Sequence, residues 1–332
     1  MPHTLEDIAK ISGYSRSTVS RVINGETGVS KRAKKKISKI IEELNYQPNQ
    51  AARALAAGRM NTIGLLIPES IQFIFTDPFF QYLSQSISKA CQAHDYSLIL
   101  WLTEPEFERK LIHRHLQSGI VDGFIAASAE FDEPLIEAMQ RSNRPFVLIG
   151  AQEFDDETNF VDIDNIMGGR LAAQHLIDRG YQRIATITGP QNMVAGRDRL
   201  IGFQNAMHEN GRECEDNLIV EGDFTKESGA ASAVKLLPHN PDAIFIASDF
   251  MALGAMEAIK DAGLAIPEDI AIIGFDDIPQ AASHHPPLST IHQPTEELGK
   301  LAVDVILREI NDAESDVYQA VLPPTLIPRE TS

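Results

Sequence analysis

From residue 62 onward, short apolar runs rich in β-formers alternate with stretches of helical periodicity, and this alternation restricts the possible folds more than any other feature of the chain. The runs fall at 63–67, 98–102, 123–127, 146–149, 184–188, 243–247 and 270–274. Segments between them, such as 171–179 and 255–262, carry helical spacing and stop at Gly180 and Gly263, where a left-handed C-terminal cap is available. Strand and helix taken in turn predict a parallel sheet covered by helices on both faces. The run Ile63-Gly64-Leu65-Leu66-Ile67-Pro68 is echoed by Ile184-Ala185-Thr186-Ile187-Thr188-Gly189-Pro190 about 120 residues later, so two similar α/β subdomains are expected. A small ligand would sit between them, at the strand ends.

A chain of 332 residues, 43% hydrophobic, exceeds the roughly 250 residues at which a single core usually stops growing. No stretch approaches the roughly 18 consecutive apolar residues of a membrane span, and residues 1–7 lack the charged-then-apolar pattern of a secretory signal. The expectation is a cytoplasmic protein with no membrane partner. Cys91 and Cys214 have no metal-like spacing, so neither a disulfide framework nor a zinc site is implied. The net charge of −18 argues against a polyanionic partner for the chain as a whole, yet the charge is divided. Residues 1–60 hold 11 Lys/Arg against 5 Asp/Glu, leaving 18 basic against 42 acidic residues for the remainder. Two parts of one chain face different partners.

The basic segment reads as three short helices. Thr4-Leu5-Glu6-Asp7 has the hydroxyl and carboxylate spacing of a capping box, followed by Ile8, Ala9 and Ile11, and Gly13 closes the helix. Ser15 caps a second helix whose Val19, Val22 and Ile23 face inward, ending at Asn24-Gly25. Its outward positions, Arg16, Ser17, Ser20 and Arg21, carry guanidinium and hydroxyl groups suited to phosphates and base edges in a major groove. Ser30 caps a third helix with Ala33, Ile37, Ile40, Ile41 and Leu44 inward and a cluster of Lys and Arg around its start and outer face. The stretch from Pro48 to Gly58 is alanine-rich and too short to stand alone in water. It reads either as a linker or as a hinge that folds against DNA and offers Leu55 to the minor groove.

The motifs Thr4-Leu5-Glu6-Asp7-Ile8-Ala9, Ser17-Thr18-Val19-Ser20-Arg21-Val22-Ile23-Asn24-Gly25 and Leu44-Asn45-Tyr46-Gln47-Pro48-Asn49, with Ala52-Arg53-Ala54-Leu55, resemble the headpiece of the lactose-repressor (LacI/GalR) family of bacterial transcriptional regulators. The similarity continues to about residue 328. It implies an all-α helix-turn-helix headpiece over 1–46, a hinge helix and linker over 47–60, and over 61–332 a two-lobed α/β core with parallel sheets, like that of periplasmic sugar-binding proteins, that binds an effector and dimerises. Arg16, Ser17 and Arg21 then stand where such proteins read bases, and Thr4, Ser15, Thr18 and Asn24 where they meet the DNA backbone. Asn49, Ala52 and the intercalating Leu55 complete the DNA-binding set. The expected partners are a near-palindromic operator, a second copy of the chain and a small-molecule effector, expected to be a sugar.

The resemblance places Phe79, Phe80, Arg197, Phe224, Asp249 and Asp276 in the cleft, with Asp164 as a further position and the last crossover near residues 288–294. These residue types suit a polyol, since aromatic faces pack on sugar C–H surfaces, carboxylates accept from paired hydroxyls and a guanidinium donates to oxygens. Each has a plainer reading: Phe79 and Phe80 as core, Asp276 as a loop cap, and Arg197 as the partner of Asp198 or Asp223. Residues 69–76 read as a long apolar loop at the cleft mouth. An enzyme finds little support, because the phosphate-loop, GxSxG and HExxH patterns are absent, His113 and His115 would point to different helix faces, and nothing calls for a cofactor. A transport-type binding protein would lack the use for a DNA headpiece, and a DNA-binding protein indifferent to small molecules would not need the cleft residues.

Overall fold

In a computed structural model of the chain the described residues are 3–46, 59–67, 71–101, 119–127, 138–142, 144–150, 158–312 and 316–332. They separate into two compact units, Met1–Met60 and Asn61–Ser332. Asn49, Ala52 and Leu55 of the expected hinge lie outside the described residues, as do His113 and His115.

The first unit is built from α1 (Leu5–Ser12), α2 (Arg16–Ile23) and α3 (Lys31–Glu43). Each helix starts on a hydroxyl residue. Thr4 accepts from the Asp7 N–H while the Asp7 carboxylate accepts from the Thr4 N–H, and Ser15 and Ser30 accept from the N–H groups of Thr18 and Ala33. Such a cap contributes about 1 kcal/mol, a large share for helices too short to persist alone. Gly13 ends α1 at φ 69°, a left-handed conformation that costs glycine little. Ile8, Val19, Ala33, Ile37 and Ile40 close one small core.

In the second unit the chain forms β1 (Thr62–Leu66), α4 (Ile71–Thr76), α5 (Pro78–Ala93), β2 (Ser97–Trp101), β3 (Gly123–Ala127), β4 (Phe146–Ile149) and β5 (Phe160–Ile163). It then crosses to a second lobe: α6 (Asn165–Asp178), β6 (Ile184–Thr188), α7 (Val194–Glu209), β7 (Ile219–Glu221), α8 (Lys226–Leu236), β8 (Ala243–Ile246), α9 (Asp249–Asp261), β9 (Ala271–Ile273), α10 (Pro279–Ser283) and β10 (Thr290–His292). It returns to the first lobe as α11 (Thr295–Asn311) and β11 (Gln319–Leu322), and ends in the second as β12 (Thr325–Ile327).

Both sheets are parallel throughout, in the orders β11-β5-β4-β3-β1-β2 and β7-β6-β8-β9, and β10 and β12 make an antiparallel ribbon. Strands covered on both faces must be apolar throughout, which is why the runs show no alternation. In the first lobe α5 and α11 bury Leu83, Ile87, Val303 and Ile306 against Ile63, Leu65 and Ile125, while Leu66, Phe124 and Leu148 face the other side. In the second, α8 and α9 cover one face and α6 and α7 the other. α6 and α7 pack closely because both carry glycine at the contact: a Cβ on Gly202 would lie 1.9 Å from the Ile166 carbonyl oxygen, and one on Gly169 2.0 Å from that of Arg199.

The apolar stretch expected as a loop at 69–76 contains a helix, α4, over its last six residues. Ile74 is buried in the first lobe and the Gln81 amide donates to the Phe75 carbonyl at 2.8 Å, so tertiary anchoring gives a short segment the order it lacks alone; Phe75 itself is exposed. No helix among the described residues is long and apolar enough to cross a membrane.

Candidate functional site

The first unit presents a polar face on α2. Val19 is buried, whereas Ser15, Arg16, Ser17, Arg21 and Asn24 are exposed and Thr18 is half-buried. The Ser15 hydroxyl lies 2.9 Å from that of Ser17 and 2.8 Å from that of Thr18, a cluster at the helix start; Thr4, at the start of α1, is also exposed. Arg16 pairs with Glu6 at 3.1 Å and Arg21 with Glu26 at 3.9 Å. Exposed pairs contribute only about 0–1 kcal/mol, so either guanidinium can pass to a phosphate or a guanine edge at small cost. Lys31, Arg32, Lys34, Lys35, Lys36 and Lys39 extend the positive surface along α3.

In the second unit a cavity opens where the strand ends meet the crossovers. The first lobe lines it with Asp77, Phe79 and Phe80 at the start of α5, Ile149 at the end of β4 and Gly150 after it, Asp162 and Ile163 closing β5, and Leu298 of α11. The second lobe supplies Asn165, Met193 to Ala195, Arg199, Phe224, Ser248 and Asp276, and Gln293 comes from the crossover itself. Parallel α/β sheets bind ligands in the crevice outside the carboxyl ends of their strands, and the ends of β4 and β5 open on this cavity.

Arg199 is the electrostatic centre. It is buried, stacks 3.7 Å above the Phe275 ring, donates from Nε to Asn165 Oδ1 at 2.9 Å and from NH1 to the Ala247 carbonyl at 2.6 Å, and lies 3.6 Å from Asp276 Oδ1. Desolvation lowers its pKa, and Asp276, Asp77, Asp162 and Asp249 oppose that shift. Asp276 also accepts from Gln293 Nε2 at 2.5 Å; burial pushes its carboxyl up to about 6, against the pull of Arg199. Asp249 is raised as well, through burial and the neighbouring Asp276 carboxylate, although it accepts from Thr290 Oγ1 at 2.6 Å and from the Ile278 N–H at 3.0 Å. One buried guanidinium thus faces several carboxylates, with aromatic rings on both sides. Phe224 and Asp276 hold positive φ of 65° and 118°, conformations that cost a side chain on the order of 1–3 kcal/mol and gather at binding sites.

Of the residues singled out in the sequence, Phe79, Phe80, Phe224 and Asp276 line the cavity, the first two packed edge-to-face at 5.3 Å. Three others do not. Arg197 pairs with Asp198 at 3.0 Å; Asp164 caps α6 by accepting from the Met167 N–H at 2.8 Å; Asp249 lies one layer below the wall, under Ser248 and Asp276. Sequence reasoning missed Asp77, Asp162, Asn165, Arg199, Ser248 and Gln293. Arg199 had a signal, since it falls four residues before Phe203 and seven before Ala206, on the buried stripe of α7 from which Arg197 is displaced.

Comparison with known proteins adds three relatives and two family matches. Residues 4–49 match the description "Bacterial regulatory proteins, lacI family", and residues 173–332 a "Periplasmic binding protein-like domain". The ribose operon repressor of Escherichia coli K12 is 39% identical, with 98% of each chain covered. A solved complex of the transcriptional regulator CelR with cellobiose is 35% identical, covers 99% of this chain and all of the other, and superposes with a TM-score of 0.79. The Lac repressor dimer bound to operator and the anti-inducer ONPF is 30% identical, covers 100% and 99%, and gives 0.89.

Proposed function

From the premise that this chain belongs to the LacI family of bacterial regulatory proteins, we propose that it holds operator DNA with α2 and releases or tightens that hold when a neutral sugar occupies the cavity between its lobes. The chain is a DNA-binding transcriptional repressor of this family and not an enzyme. Its work is in the cytoplasm, where the DNA is. The observation that carries the effector reading is the buried Arg199 set among Asp77, Asp162 and Asp276 with Phe79, Phe80 and Phe224 around it. An anionic ligand would meet an excess of carboxylates; a neutral polyol offers hydroxyl donors to those carboxylates, acceptors to the guanidinium and C–H faces to the rings. The sugars in the relatives' names, ribose and cellobiose, are of that chemical class.

In this proposal two copies pair with two-fold symmetry, as the Lac repressor does, and place α2 of each in successive major grooves, with Arg16, Ser17 and Arg21 at base edges. Thr4, Ser15, Thr18 and Asn24 meet phosphates, and Asn49, Ala52 and Leu55 form the hinge in the minor groove between half-sites. Sugar binding alters the angle between lobes joined by three crossovers, and operator affinity follows to the extent that the sugar prefers one angle.

Operator selection from random duplexes at fixed salt, repeated with D-ribose, cellobiose, other neutral sugars and free nucleobases, tests this directly. An enriched palindrome whose yield changes with a neutral sugar supports it. Response to a nucleobase alone reassigns the effector class, and indifference to every compound removes the sensor reading.

A further inference from the structure

Asp276 reaches the cavity from an improbable backbone. It and Asp277 are consecutive non-glycine residues at positive φ, 118° and 62°, reached from β9 through Gly274 and Phe275. Asp277 does not line the cavity. Its carboxylate instead spans two other segments, accepting from Arg329 NH2 at 2.5 Å through Oδ1 and lying 3.0 Å from His292 Nδ1 through Oδ2. His292 ends β10, one residue before Gln293, which holds Asp276. Arg329 lies just beyond β12, donates from NH1 to the Leu288 carbonyl at 2.7 Å, and gives its backbone N–H to Ser289 Oγ at 2.9 Å. Backbone bonds from Gly274 to Ser289 and from Asp276 to Ile291 lay the 274–276 segment along the same strand.

We infer that Asp277 is a positioning residue for effector recognition: clamped between His292 and Arg329, it holds Asp276 in the strained conformation that aims its carboxylate at Arg199 and the cavity. The inference rests on the cavity being the effector site. Strained backbone persists only where neighbours over-determine it, and here the clamp supplies charge-assisted bonds from two crossover-linked segments that a free loop would lack. The cavity wall and the ribbon strands β10 and β12, which run into two of the crossovers, therefore move as one piece, so a change in lobe angle is felt at Asp276.

Carboxyl-labelled NMR titration of Asp276 in the full chain separates positioning from simple charge effects without any ligand. Arg199 and Asp249 face Asp276, Asp77 and Asp162 stand around Arg199, and His292 and Arg329 flank Asp277. Removing the Asp277 charge by Asp277→Asn would by itself lower the Asp276 midpoint, because a like charge is lost. Swinging the Asp276 carboxyl away from Arg199 and Gln293 while it stays buried would raise it. The inference expects the midpoint to rise in Asp277→Asn and in His292→Ala, whose exposed side chain makes the fold easier to keep, and to return in His292→Gln, which restores a donor. A midpoint that falls or stays while only thermal stability drops overturns it. In parallel, any sugar bound by the unaltered protein is expected to bind Asp277→Asn about tenfold or more weakly. If the ribose and cellobiose panel binds neither protein, the effector reading fails while the titration still decides the role of Asp277.

Discussion

Arg199 concentrates the chemistry of the cavity in one side chain. Replacing it with Ala leaves Asp276, Asp162 and Asp77 buried without their cation, which costs about 3–5 kcal/mol when a buried pair loses one partner. Arg199→Ala is expected to lower the urea midpoint of the core and to abolish sugar binding; Arg199→Lys should not restore binding, because an ammonium cannot stack on Phe275 and fork to Asn165 and Ala247 together. Asp276 gives a pH test. Its folded pKa, about 6, lies above the ordinary carboxylate value, so the protonated form is the one folding favours. Its contribution is fully present below the unfolded pKa near 3.8 and is lost as pH rises through about 6. Against Asp276→Asn, which cancels the titrations of groups remote from Asp276 and leaves those of Asp276 and its neighbour Asp249, the unaltered protein should gain relative stability as pH falls from 7 to 4, and thermal unfolding at several pH values reads the difference. A flat difference would mean Asp276 is ionised as easily inside as out.

At the scale of elements, the α6–α7 contact sets where Arg199 meets Asn165, and glycine allows it. Gly202→Ala would put a methyl 1.9 Å from the Ile166 carbonyl oxygen, backbone that cannot swing aside. Overpacking of this kind costs typically about 1–3 kcal/mol, and the relief available is to part the two helices. Loss of sugar affinity with operator affinity retained in sugar-free buffer is the expected outcome, measured by calorimetry and by gel shift. The helix starts were legible in the sequence because a cap is local: Thr4, Ser15 and Ser30 act on N–H groups three residues away. Helix α4 was not, since its order comes from burying Ile74 in the first-lobe core and from the bond that Gln81 gives it, both made with residues outside the segment.

For the whole molecule, the division of charge separates what binds DNA from what does not. A basic surface on α2 and α3 should give operator affinity that falls linearly in log–log form with salt. Within it, Lys34→Gln is expected to weaken all duplexes alike and flatten the slope by about one if it meets a phosphate. Arg21→Ala is expected to cost about 1–3 kcal/mol at one position of each half-site if it reads a base. Competition binding across single-site operator variants at two salt concentrations distinguishes the two patterns, and a uniform loss for Arg21 would reassign it to the backbone.

The sequence by itself determined the strand–helix alternation, the helix caps and the basic headpiece set against an acidic remainder, because periodicity, capping and charge are read over a few neighbouring residues. Tertiary structure alone decided which polar side chains turn into the cavity. Asp162 lines it while Asp164, two residues on, is taken up by the cap of α6; Arg199 lines it while Arg197 pairs with its neighbour; Asp249 is drawn beneath the wall by Thr290 and Ile278. The cavity sits at crossovers that join residues more than a hundred positions apart, such as Asn165 and Gln293, and no local pattern records which of them will meet.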